Sequence, residues 1–307
     1  MKLENSDSSL HTNPRYKMYV ERFGHGKNGA PAVLFIHGAY HTGMCYMRTP
    51  DGRTGWAPML AGKNLTVYVT DLQDMGRSGS VPFASMSGEF VVEAYADLIK
   101  SLPEKIILVT HSMSGAYGFK LAELLPEKIV AVVSVEPSLP GNFEDVIVPD
   151  SESDRVLKVK FFDDEWDLDM NKYFYPTPGQ IQSFVAEGTT QFATDDNCLA
   201  EYKASLQAIH PRLVYERLNI ADSQLKINDF SKLLPVKFLV LSSPANPRHL
   251  HTDEKIPKEF RARKIEVDHY KLDKLGIFGN GHMMMLEKNN AEILDKIVEW
   301  LKEKKLI

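Results

Sequence analysis

At 307 residues the chain is long enough for one large α/β domain or two modest ones. It is 43% hydrophobic and 25% charged, an ordinary globular balance, and its net charge of −5 leaves no basic footprint for nucleic acid. Two cysteines, Cys45 and Cys198, are too few and too far apart for a disulfide framework or a zinc site, and they fit a reducing compartment.

The N-terminal stretch MKLENSDSSLHTNPR is polar and lacks the apolar run of a signal peptide. Nowhere does an apolar stretch approach the ~20 residues of a membrane helix. The expectation is a soluble, cytoplasmic protein with no membrane span, although a chain that had lost its leader would read the same. From there, short β-branched runs alternate with helical patterns. The runs Ala32 to Ile36, Thr66 to Thr70, Ile106 to Thr110 and Ile129 to Val135 suit parallel strands covered on both faces. Helical spacing predicts helices over Gly88 to Leu102 and Gly115 to Leu125, with Pro103 and Pro126 just beyond as stops.

The rhythm then breaks. Residues 141–235 are acidic in places, rich in Phe and Tyr, and helical in pattern over Ile181 to Glu187 and Leu199 to Ala208. They predict a helical cap inserted into a core made of residues 1–140 and 236–307. Strands resume at Val236 to Leu241 and Lys264 to Tyr270, and a helix from about Ala291 to Lys302 closes the chain. Alternation of this kind implies a mostly parallel, doubly wound sheet of the α/β class.

Ligands of such sheets bind outside the carboxyl ends of the strands. One such end carries Val109-Thr110-His111-Ser112-Met113-Ser114-Gly115, with two serines two residues apart. A serine on a strained strand-to-helix turn needs small residues two positions away on either side. Both Ser112 and Ser114 satisfy this. Since IILVT already supplies the strand, Ser112 falls at the apex and Ser114 in the first helical turn, so Ser112 is favoured.

The segment LVTHSMSG resembles the LVGHSMGG nucleophile turn of α/β-hydrolases, with Thr110 and Ser114 in place of two glycines. That resemblance implies an α/β-hydrolase fold and an oxyanion site made by the backbone N–H groups of Met113 and Ala39. Ala39 lies in the His37-Gly38-Ala39 loop, where Gly38 allows close approach and His37 braces the turn. His41 has a similarly structural reading. The long TPDGRTGW stretch follows, and Asp51 and Arg53 can pair there to hold it shut. The base of this family follows the last strand, which points to His282 in GIFGNGHMMMLEKN, ahead of His269, His249 and His251.

The orienting acid usually follows the preceding strand, but SSPANPRHLHTDEK has no carboxylate before Asp253, which reads as a helix N-cap. Glu136 is the better candidate. It ends an apolar strand, where a lone charge is costly, and Pro137 restricts its backbone. A small group of bacterial esterases carries a Glu at this place, and the chain is similar to them also in its HTG, TPDGR-GW and DLQDMGRSG stretches.

The expected activity is hydrolysis of a small carboxylic ester with an apolar portion, by Ser112, His282 and Glu136, with no cofactor and no metal. A lactonase, a carbon–carbon bond hydrolase or a non-catalytic ligand-binding protein on the same scaffold are the alternatives. The acidic run Phe161 to Asn171 lacks the spacing of a calcium loop and reads as a solvated cap face. Trp166, Tyr173, Phe174 and Tyr175 read as cap core rather than pocket lining. Oligomeric state is not legible.

Overall fold

A computed structural model describes residues 7–10, 15–149, 151–153, 155–161, 164–185, 194–243 and 247–307, with backbone alone for 7–10, 151–153, 161, 164 and 247–251. The chain begins with two strands, β1 (Asp7–Leu10) and β2 (Tyr19–Phe23), followed by β3 (Ala32–Ile36), a short helix α1 (Trp56–Ala61) and β4 (Val67–Asp71). Then come α2 (Gly88–Ser101), β5 (Ile106–His111), α3 (Ser114–Leu124) and β6 (Ile129–Val135). The predicted strands and helices of this half are all present. Every residue of β3, β4 and β5 is buried, which is why they read as continuous apolar runs. Ser87 starts α2 by accepting the Phe90 N–H at 3.1 Å.

After β6 the chain makes a small antiparallel sheet, β7 (Ser151–Ser153), β8 (Val156–Phe161) and β9 (Asp164–Asp169), and the helices α4 (Pro178–Phe184), α5 (Asp196–Ser205) and α6 (Pro211–Arg217). The insertion is therefore not wholly helical. Its acidic run is largely β9, with Trp166 and Leu168 buried and Glu165 and Asp167 exposed between them. That alternation is the signature of a half-buried strand, masked in the sequence by the charges that dominate the segment.

The chain then returns through β10 (Lys237–Ser242), α7 (Pro247–Ala262), β11 (Val267–Lys271) and α8 (Asn290–Glu303). Here one expectation fails. The residues just before Asp253, which an N-cap reading leaves outside the helix, already belong to α7, because Pro247 sits at the first helical position, where a missing N–H costs nothing. Asp253 therefore lies inside α7 and is not its N-cap. The side chains of His249 and His251, in the first turns of α7, lie outside the described residues.

Eight strands form the main sheet in the order β1-β2-β4-β3-β5-β6-β10-β11. The two N-terminal strands pair antiparallel and the rest run parallel. Register pairs Ile36 with Thr110, His111 with Val135, Val135 with Leu241, and Ser242 with Lys271. The carboxyl ends of five parallel strands are thus level, and the loops that leave them meet at one rim.

Candidate active site

The turn after β5 is where the sheet concentrates strain. Ser112 has φ of 52°, a left-handed conformation that a non-glycine residue holds only when its surroundings impose it. Those surroundings are visible. Its N–H donates to Val135 O at 3.0 Å, and its carbonyl accepts the N–H groups of Gly115 and Ser138, both at 2.8 Å. A Cβ at Gly115 would lie 2.5 Å from Pro137 Cβ, so glycine is required for this turn to close. Ser114 is fully committed elsewhere: its hydroxyl lies 2.8 Å from Ile36 O and accepts the His111 N–H at 2.9 Å. Of the two serines, only Ser112 keeps partial exposure.

The loop after β3 abuts this turn. A Cβ at Gly38 would lie 2.7 Å from His111 Nδ1 and 3.0 Å from Ser112 Cβ. His37 fixes the peptide that follows. Leu72 N–H donates to its Nε2 at 2.9 Å, so the ring proton is on Nδ1, which donates to Gly38 O at 2.8 Å. In a trans peptide the C=O and N–H point in opposite directions, so holding Gly38 O turns the Ala39 N–H the other way. Met113 precedes α3, and its N–H belongs to the group at a helix start that has no intrahelical acceptor. The His37 ring thus links the loop after β3 to the chain just beyond β4.

Across the rim, the Glu136 turn after β6 is also left-handed, with φ of 46°. Its N–H donates to Leu241 O at 2.9 Å, and Oε1 accepts the Ser243 N–H at 2.5 Å. Oε2 lies 4.0 Å from His282 Nδ1, with both side chains almost wholly buried. That separation is too long for a hydrogen bond. His282 is tied back to the serine turn through its main chain: His111 Nε2 donates to His282 O at 3.0 Å, and the two rings lie 4.6 Å apart. Burial pushes His111 down to about 3, so it is neutral, with its proton on Nε2. Ser112, His282 and Glu136 are brought to one rim. His269 is not: it lies on β11 and bonds Ser242 Oγ at 2.7 Å.

A family model described as "Alpha/beta hydrolase family" matches residues 33–296. The chain belongs to the α/β-hydrolase family. Among curated relatives, a protein described as "Probable secreted lipase phiG", from a fungal species (strain ATCC 74256), is 23% identical over 98% of this chain and 95% of its own. Among solved structures, a bacterial esterase superposes with a TM-score of 0.57 at 19% identity, covering 97% of this chain and 92% of that one. MenH from S. aureus superposes with a TM-score of 0.61 at 12% identity, covering 93% and 98%. These likenesses show the α/β-hydrolase fold.

Two features of this α/β-hydrolase extend the site beyond its three central side chains. Arg53 pairs with Asp51 at 2.6 Å, as its sequence position suggested, and also reaches far across the chain. Its Nη1 donates to Glu287 O at 2.9 Å and its Nη2 to Leu286 O at 3.1 Å. Trp56 adds a bond to Asn290 O at 2.8 Å. The TPDGRTGW stretch therefore clamps the chain just beyond His282, using the fixed fork of a guanidinium on main-chain carbonyls.

The second feature comes from the insertion. Phe184 of α4 stacks on the His282 ring at 5.7 Å and 25°, meets His41 edge-on at 5.9 Å and lies tilted against Tyr40 at 5.8 Å. Of the aromatics read as core, Trp166 is buried and Phe174 half-buried, while Tyr173 and Tyr175 are exposed. Sequence reasoning did not single out His111, Ser243 or Phe184. His111 was legible only as the residue beside Ser112, and the other two depend on strand order and on the insertion's docking. Among the described residues there is no cluster of three or more His, Cys, Asp or Glu arranged for a metal, and no helix long and apolar enough to cross a membrane.

Proposed function

We propose that this α/β-hydrolase cleaves carboxylic esters through an acyl-enzyme on Ser112. The single observation carrying this reading is the buried Glu136–His282 contact at 4.0 Å, held at the rim where Ser112 stands in its strained turn. Ser112 Oγ attacks the acyl carbon while His282 takes its proton. The imidazolium is stabilised by Glu136, whose charge is supported by the Ser243 N–H. The tetrahedral oxyanion is met by the N–H groups of Met113 and Ala39. Collapse expels the alcohol with the proton returned by His282, and a water molecule repeats the sequence to release the acid. Contacts of this kind tighten in the reacting complex, so a 4.0 Å separation accords with the role.

In this reading residues 1–140 and 236–307 form the catalytic unit, and residues 141–235 cap it. The aromatic group of Phe184, Tyr40 and Phe174 around the rim favours a substrate with an apolar portion. The description of the fungal relative as a lipase supports the ester class. The test is a fluorophosphonate probe followed by peptide mapping, together with a panel of aryl esters of rising acyl length. Labelling at Ser112 and turnover abolished by Ser112→Ala are expected. Labelling at Ser114, or ester turnover untouched by Ser112→Ala, overturns the assignment.

A further inference from the structure

Three successive carbonyls of the loop after β3 are each held, and from two different parts of the chain. Gly38 O is taken by His37, whose ring is fixed from the core by Leu72. The next two are held through the insertion. Ala39 O accepts His41 Nδ1–H at 2.6 Å, and Tyr40 O accepts the Gln207 N–H at 2.8 Å. Since a carbonyl has no proton to give, the His41 proton is on Nδ1. Burial pushes His41 down to about 4, so its Nε2 is a lone pair at neutral pH. The Tyr202 hydroxyl, 3.0 Å from that nitrogen, must therefore be the donor. Tyr202 is wholly buried on α5 and His41 nearly so. The hydroxyl thus has its direction fixed by chemistry rather than by packing alone.

The loop needs this support. Tyr40 has φ of 64°, a left-handed conformation that a bulky side chain resists. Such strain persists only where neighbours over-determine it. The bonds arriving at Ala39 O and Tyr40 O meet that need on one side of Ala39, as His37 does on the other.

We propose that Tyr202 is a positioning residue for ester hydrolysis: its hydroxyl, acting through His41, holds the peptide after Ala39 so that the Ala39 N–H stays aimed at the developing oxyanion. The insertion is then part of the apparatus that stabilises the transition state, as well as a cover over it. This rests on the ester-hydrolase reading above. Tyr202 touches no reacting atom, so its loss acts on the transition state and leaves ground-state binding alone.

The experiment compares Tyr202→Phe with the wild-type full chain, using a soluble aryl ester and an aryl boronic acid that forms a tetrahedral adduct on the serine. Deleting an oxyanion donor outright costs about 100- to 1,000-fold in kcat, so loosening one should cost about tenfold, with KM within about twofold. Boronate affinity should fall by the same factor, and the melting temperature should stay put. His41→Gln keeps a donor and an acceptor and should retain more kcat than His41→Phe. Adding Tyr202→Phe to His41→Phe should cost nothing further. If Tyr202→Phe does not fold, the two His41 variants carry the same comparison.

Wild-type kcat and boronate affinity in Tyr202→Phe overturn the proposal. So does a loss of kcat that merely follows a loss of melting temperature, or independent, additive losses in the double variant. Each of those outcomes leaves Ser112 labelling and wild-type turnover intact. A wild type that is not labelled at Ser112 overturns the ester-hydrolase reading, and this one with it.

Discussion

Glu136 and Asp253 are both completely buried, and they lie close enough for the charge of one to bear on the other. Their surroundings could hardly differ more. Glu136 sits on a strained turn between two strand ends, with a main-chain N–H on one oxygen and an imidazole facing the other. Asp253 sits inside α7 with no hydrogen-bond partner on either oxygen among the described residues. Burial first, and the neighbouring Glu136 second, push its carboxyl well above the usual carboxylate range. Asp253 follows the strand after which α/β-hydrolases usually place their acid, yet the partners have gathered around Glu136. What makes a carboxyl group serviceable is the donor set around it; its place in the chain does not suffice.

The comparison can be broken most directly at Glu136. Replacing it with Gln removes the charge opposite the imidazole, and kcat should fall by about 10²- to 10⁴-fold with KM little changed. If Asp253 were the working acid instead, Asp253→Asn would show that loss and Glu136→Gln would not. A steady-state comparison of the two single variants decides it.

A smaller effect tests the frame that holds His282. Arg53→Ala removes donors from the carbonyls of Leu286 and Glu287 and lets the loop shift, and a displacement on the order of 1 Å can cost about 100-fold. Arg53→Lys should recover little of the loss, because an ammonium cannot reproduce the fork. Measured kcat for the pair, with His282 ring resonances followed by NMR, checks this. A full rescue by Lys would mean that charge, rather than geometry, is what matters there.

Asp253→Asn should leave kcat within about twofold and change stability instead. The sign follows from linkage. The native pKa of Asp253 lies above its unfolded value, so the native state holds the extra proton and wild-type stability falls as pH rises through that window. The advantage of Asn should therefore be small near pH 4, grow as pH rises, and level off above the native pKa. Chemical denaturation at several pH values measures it, and an advantage that shrinks with rising pH would refute the assignment.

The smallest effect concerns the opposite sign. His269 is held down to about 4, chiefly by burial and then by Lys271, so the unfolded chain binds a proton that the native one refuses. Its contribution to stability is complete above about pH 6.5 and is lost as pH falls toward 4. His269→Gln should flatten the acid limb of a melting-temperature profile between these values and leave activity unchanged. An unaltered acid limb would show that His269 does not titrate there.

Much of the molecule could be read from residues alone, because its strongest signals are local. Continuous β-branched runs mark buried parallel strands, and a strand-turn-helix with small residues around Ser112 describes a structure that depends on near neighbours in sequence. Helix starts and stops, and the glycine beside the serine turn, belong to the same class. The β9 alternation was equally local but lay under its charges, and the start of α7 was hidden by Pro247, which a helix tolerates at its first position.

Tertiary structure decided everything that depends on which strands lie side by side. The order β5-β6-β10-β11 puts Glu136, Ser243 and His282 at adjacent ends, although more than a hundred residues separate the first from the other two. The same packing leaves Asp253 with no donor among the described residues, turns Arg53 toward carbonyls more than 230 positions away, and sets Tyr202 against His41 across 161 positions. Propensity and spacing act over a few residues, whereas donors and acceptors meet in space. For that reason the sequence determined the fold class and the serine turn, and only the folded chain chose the partners of each buried polar group.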